Sequence, residues 1–119
     1  MRKNVIQFKN SIRYAIKGIV LVMRREQNFL IQNSIAFLVV IAGVFFEITR
    51  IEWILLILAI VVVLTLEMVN SASERVVDII KPRAHDLIAE IKDIIAGAVL
   101  IASVGAAIIG IILFLPYII

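Results

Sequence analysis

Residues 66–80 read LEMVNSASERVVDII, and here a long apolar run passes without a break into polar and ionised groups. Glu67, Asn70, Ser71, Glu74 and Asp78 stand at i, i+3, i+4, i+7 and i+11, the spacing that puts side chains on one face of a continuous helix. Met68, Val69, Ala72, Val76 and Val77, between them, are apolar or small. Carboxylates at the end of a hydrophobic helix are costly to desolvate, so they face a bundle interior or a wet cavity and mark function. Glu67 and Glu74 are therefore the first candidates for chemistry, with Asn70, Ser71 and Asp78 as the polar stripe that supports them.

The chain around this stretch has 119 residues, is 63% hydrophobic and has a mean hydropathy of +1.12. That is well above the roughly half-apolar norm of soluble domains, and it implies a small all-α integral membrane protein. The N-terminal MRKNVIQFKNSIRYAIKG carries charge throughout, with no short apolar core and small-residue cleavage site, so a cleaved signal peptide is not expected. With no cysteine and a single histidine, disulfides, thiolate metal sites and His-rich zinc sites are excluded. Carboxylate oxygens remain as metal ligands, and they favour a hard cation such as magnesium.

Val5, Phe8, Ile12, Ile16, Ile19 and Met23 repeat at three and four with Lys9, Arg13 and Lys17 between them, which predicts an amphipathic helix lying in the membrane interface. Residues 1–28 form this helix and the charged mouth of the first span, Met23-Arg24-Arg25-Glu26-Gln27-Asn28, in which Glu26 stands beside Arg24 and Arg25. Residues 29–46 are the first span, at about the minimum length that crosses the hydrocarbon. After a short polar turn, residues 53–69 form a second span, opened by Trp53 and continuing as the polar stripe to residue 80. Lys81-Pro82 should stop that helix, because Pro82 has no N–H to donate and disfavours helical geometry in the residue before it. Residues 81–93 are read as a loop and amphipathic surface helix with Leu87, Ile88 and Ile91 on one side. Residues 94–119 are the third span, whose Gly97, Ala98, Ala102, Ser103, Gly105, Ala106, Ala107 and Gly110 permit close helix approach, within the chain or between copies.

Seven lysines and arginines precede the first span, four lie between the second and third, and Arg50 alone lies between the first and second. The positive-inside rule then puts the N-terminus and residues 75–93 in the cytoplasm and the C-terminus outside. All the candidate polar groups collect on the cytoplasmic side.

Glu67 and Glu74 are two turns apart, about 10 Å along the helix axis, which suits them to different tasks. Glu74, nearer the cytoplasm, is placed to share a magnesium ion with Glu26 across nucleotide phosphates if their helices are neighbours. Glu67 lies at the depth where a lipid head group presents its hydroxyl, and burial there would make it a general base for an alcohol. Lys92 is the expected phosphate cation, with Asp93 to orient it. There is neither a GxxxxGK[ST] loop nor a GxGxxG loop, so a nucleotide site here belongs to neither familiar class.

These residues resemble a known family. Glu67-Met-Val-Asn70-Ser71-Ala72-Ser-Glu74-Arg-Val-Val-Asp78, then His85, then Lys92-Asp93-Ile-Ile-Ala96-Gly97-Ala98-Val99, is similar to the E-x-x-N-[ST]-A-x-E-x-x-x-D signature and K-D-x-x-x-x-A-V segment of the prokaryotic diacylglycerol kinases, a family that includes undecaprenol kinases. The resemblance extends over essentially the whole chain. It implies a homotrimer in a bacterial inner or plasma membrane, with active sites shared between protomers and phosphorylation of a lipid alcohol by ATP and Mg2+. It also implies Glu67 as catalytic base, Glu26 and Glu74 as metal ligands, and Lys92 and Asp93 as nucleotide contacts. Tyr14, Arg83, Ala84 and His85 fall at positions similar to further nucleotide contacts, although Arg83-Ala84 departs from the acidic-aromatic pair common before the histidine.

FKNSIRYAIKG near the N-terminus and the Glu26-x-Asn28-Phe29 sequence at the first span are more similar to the undecaprenol-kinase branch than to enterobacterial diacylglycerol kinases, which carry tryptophan at the position of Ile16. Undecaprenol is the expected substrate and diacylglycerol the alternative; no nucleic-acid partner is expected. A proton-coupled exporter would use an intramembrane Glu67 but has no need of Glu26, Glu74, Lys92 and Asp93 at one face. A non-catalytic scaffold needs none of them.

Overall fold

The computed structural model describes residues 2–80 and 85–119 as four helices: α1 (Arg2–Arg25), α2 (Gln27–Phe45), α3 (Arg50–Ile80) and α4 (His85–Ile118). Three of them, Gln27–Phe45, Arg50–Ile80 and Asp86–Ile118, are long and apolar enough to cross a membrane. At 31 residues α3 is about 46 Å long, so it exceeds the roughly 30 Å of hydrocarbon by several turns. That excess is the length of helix on which the polar stripe stands.

The dominant packing is α3 against α4, with α2 laid against α3 and α1 touching α2 and α3. Ile48, Leu56 and Leu113 form the buried core cluster, flanked by Val39, Phe46, Trp53, Ile60, Phe114 and Tyr117. Because Leu56 is near the start of α3 and Leu113 near the end of α4, the two long helices run antiparallel, and this core lies at the end remote from the stripe. Tyr117 Oη donates to Glu52 Oε1 there, pinning the last turn of α4 to the first turn of α3.

The α2–α3 turn is built from local chemistry. Glu47 takes a left-handed φ of 52°, Phe46 N donates to Ala42 O at 2.9 Å, and Ile48 N reaches back to Gly43 O at 3.2 Å. Thr49 and Glu52 then open α3 with a reciprocal capping box: Glu52 N donates to Thr49 Oγ1 at 3.2 Å and Thr49 N to Glu52 Oε1 at 2.9 Å. Gly43 is required by close approach, since a Cβ there would lie 2.8 Å from the Trp53 ring.

Two boundaries differ from the sequence reading. The expected turn over residues 47–52 is shorter, because the capping box starts α3 at Arg50. The expected surface helix ending at residue 93 and the span beginning at 94 are one unbroken helix, α4. Ile88, Ile91 and Ile95 keep the three-and-four repeat across the change in polarity, and no proline intervenes before Pro116, so nothing interrupts the backbone ladder. Residues 81–84 of the expected loop lie outside the described residues. Along α1 only Val22 is buried, while Val5, Phe8, Ile12 and Ile16 are exposed in the single chain.

Candidate active site

Glu26 is the one residue between α1 and α2, with extended backbone angles of φ −109° and ψ 107°. Its N–H still closes the last turn of α1 onto Val22 O at 2.8 Å, and its carbonyl accepts from Leu30 N at 3.2 Å. Its side chain does not cap α2. Instead it crosses to α3, where Ser71 Oγ donates to Glu26 Oε1 at 3.0 Å. Val22 and Phe29, one on each side of Glu26, are buried, so the elbow is anchored by apolar contacts while its carboxylate is delivered to the stripe.

Ser71 is the buried centre of this arrangement, 2% exposed. Arg75, one turn further along α3, donates from Nη1 to both Ser71 Oγ and Ser71 O, the latter at 3.1 Å. The same nitrogen lies 3.8 Å from Glu26 Oε1. Asn70 Nδ2 donates to Glu74 Oε1 at 3.5 Å on the neighbouring part of the same face. Glu67 is half-buried one turn before Ser71, on the same face of α3. Three carboxylates from two segments far apart in sequence therefore share one end of the bundle.

Among the described residues no three carboxylate or histidine side chains converge closely enough to form a metal cage. A magnesium ion carried by a nucleotide does not need one, because it is bound by one or two carboxylates and completes its shell with phosphate and water oxygens. The hard oxygens of Glu26 and Glu74 suit that kind of site.

The remaining sequence candidates are more dispersed. Asp78 is exposed beyond the cluster. Lys92 and Asp93 are exposed on α4, and no hydrogen bond or ion pair among the described residues ties them to α3. Tyr14 is exposed on α1, with Lys17 Nζ 6.0 Å from its ring centroid. His85 opens α4, but its side chain, like Arg83 and Ala84, lies outside the described residues. Arg75 is a site residue that the sequence reading did not single out. Its place four residues after Ser71 was the available signal that it shares Ser71's face.

Below the cluster, an apolar cavity of about 590 Å³ runs between α2, α3 and α4. Leu64, one turn before Glu67, lines it beside Gln32 and Ser103, and its far end reaches Ile118.

The sequence profile of the prokaryotic diacylglycerol kinases matches residues 13–114. The chain belongs to the prokaryotic diacylglycerol kinase family. It is 37% identical over 115 residues to the undecaprenol kinase of Bacillus subtilis (strain 168), covering 97% of this chain and 94% of that one. It is 35% identical over 121 residues to a diacylglycerol kinase of Synechocystis sp., covering 98% and 69% respectively. To the diacylglycerol kinase of Escherichia coli (strain K12) it is 33% identical over 111 residues, 91% of each chain. The prokaryotic diacylglycerol kinases are lipid kinases, and membership together with three apolar helices assigns this chain to a membrane.

Proposed function

We propose that the protein transfers the γ-phosphate of ATP to the hydroxyl of a membrane lipid alcohol, with undecaprenol as substrate ahead of diacylglycerol. The observation that carries this reading is the delivery of Glu26 from the α1–α2 elbow to Ser71 on α3, which gathers Glu26, Glu67 and Glu74 at one end of an apolar bundle. The preference for undecaprenol is supported by the Bacillus subtilis relative, which covers nearly the whole chain.

In this mechanism Glu67 accepts the lipid hydroxyl proton as the oxygen attacks the γ-phosphorus. The bond between that phosphorus and the β–γ bridging oxygen breaks, and ADP leaves with the electron pair. Glu26 and Glu74 would hold Mg2+, which when bound neutralises charge on the phosphate oxygens. Lys92 is the cation for the transferring group and Asp93 orients it, with Tyr14, Arg83, Ala84 and His85 as further nucleotide contacts. Asn70 holds Glu74 by its amide, and the apolar cavity beginning at Leu64 offers hydrocarbon depth directly below Glu67.

The working unit is a homotrimer in a bacterial plasma membrane, with the N-terminus and active site cytoplasmic and α1 lying along the surface. Gly97, Ala98 and Gly105 on α4 are small enough to let the helices of neighbouring copies approach closely. The test is phosphate transfer from radiolabelled ATP by purified protein in bilayers containing either undecaprenol or diacylglycerol. Labelled undecaprenyl phosphate is expected to form faster. Faster labelling of diacylglycerol would reverse the substrate order, and no labelling of either would overturn the reading.

A further inference from the structure

The mechanism leaves Arg75 without a task, yet Arg75 makes the most direct cationic contact with the carboxylate cluster. Its hydrogen bonds and ion pair among the described residues all run through one nitrogen: Nη1 meets Ser71 Oγ, Ser71 O at 3.1 Å and Glu26 Oε1 at 3.8 Å. A guanidinium has five N–H donors in a planar fork. Nη2 and Nε therefore have no protein partner among the described residues, on a side chain that is 38% exposed. A guanidinium half committed to a carboxylate and half open to water is the geometry of a cation that can change partners.

We infer that Arg75 neutralises Glu26 in the nucleotide-free protein and passes its fork to a nucleotide phosphate when the metal-bound nucleotide arrives. This rests on the reading of Glu26 as a metal ligand. A divalent cation and a guanidinium compete for Glu26 Oε1, because both are attracted to the same lone pairs. Once the metal takes the carboxylate, Arg75 keeps its tether to Ser71 and stays within one side-chain length of the site. Arginine matches phosphate oxygens with two parallel donors, which a lysine point charge cannot do. The exchange also removes a problem of sign: a triphosphate approaching Glu26, Glu67 and Glu74 meets a cation that was already stored there.

This role predicts effects of opposite sign on two ligands. Arg75→Gln in the full-length protein, in detergent or nanodiscs, should bind free Mn2+ more tightly, by up to about fivefold, because a half-exposed ion pair is the only competitor removed. The readout is the free Mn2+ signal in electron paramagnetic resonance. The same variant should bind a fluorescent ATP analogue with Mg2+ about tenfold or more weakly, the scale of a charge-assisted hydrogen bond. Arg75→Lys should recover the Mn2+ competition but only part of the nucleotide affinity. Weaker Mn2+ binding in Arg75→Gln, or unchanged nucleotide affinity, would overturn the inference while leaving the proposed kinase chemistry in place. Mn2+ binding unaltered by Glu26→Gln would remove the metal role of Glu26 itself, and the inference with it. Unchanged helical circular dichroism in each variant separates these outcomes from loss of fold.

Discussion

Ser71 Oγ donates to Glu26 Oε1 at 3.0 Å across 45 positions of sequence, and this bond joins the α1–α2 elbow to the polar end of α3. Because Arg75 Nη1 donates to the same hydroxyl, Ser71 is the middle of a relay from guanidinium to carboxylate. Ser71→Ala breaks both links and leaves the buried side of Glu26 without its hydroxyl donor. A hydrogen bond to a charged group contributes about 1.5–3 kcal/mol, and with Glu26 one-third exposed the low end applies. Thermal unfolding in detergent should show that loss, and the apparent affinity for magnesium-ATP should fall with it.

The two glutamates of the stripe should fail in different ways. Glu74→Gln removes a proposed metal ligand, so it should weaken the apparent affinity for magnesium-ATP, with partial recovery in excess magnesium. Glu67→Gln should leave nucleotide binding nearly intact and lower turnover by roughly a hundredfold or more, the scale of losing a general base. Magnesium should not rescue it. Steady-state kinetics at several magnesium concentrations decide between them. If Glu67→Gln mainly weakened nucleotide binding and Glu74→Gln mainly slowed chemistry, the base and metal roles would have to be exchanged.

The long elements were legible because hydropathy and helical period act on local sequence. The apolar runs of α2, α3 and α4 and the stripe from Glu67 to Asp78 can be read without knowing any neighbour. What could not be read was which face met which partner. Glu26 sits among Arg24 and Arg25 in sequence, yet its recorded ion pair is with Arg75, because the extended backbone at Glu26 turns the side chain toward α3. Polarity also proved a poor guide to helix ends: Lys92 and Asp93 suggested a boundary, but backbone hydrogen bonds do not depend on side-chain charge, and α4 passes through them. Thr49 and Glu52 did carry a local signal for the start of α3, in the three-residue spacing of a capping box.

Gly43 and Gly18 should respond to alanine with opposite signs. A Cβ at Gly43 would sit 2.8 Å from Trp53 Cη2 and 3.1 Å from Ile48 Cδ1, so Gly43→Ala must displace the tryptophan that covers the α2–α3 turn. Overpacking of this kind costs about 1–3 kcal/mol, to be read as a lower melting temperature and altered Trp53 fluorescence. Nothing lies within 4 Å of a Cβ at Gly18, on α1. Gly18→Ala should raise stability by up to about 1 kcal/mol through helix propensity alone.

The last prediction concerns which chain supplies each part of a site. Glu26 is joined to the stripe that carries Glu67 and Glu74 within one protomer, whereas Lys92 is exposed and, among the described residues, makes no hydrogen bond or ion pair with α3 of its own chain. If copies assemble with shared sites, Lys92 serves the carboxylates of a neighbour. Two inactive variants, Glu67→Gln and Lys92→Gln, should then complement each other when co-expressed. Randomly mixed equal amounts should restore about a quarter of wild-type activity, since each site needs an intact Glu67 from one copy and an intact Lys92 from the next. Co-purification through different affinity tags establishes that the variants have mixed. Proven mixing without recovered activity would show that each protomer builds its site from its own Lys92, and would confine any oligomer to a structural role.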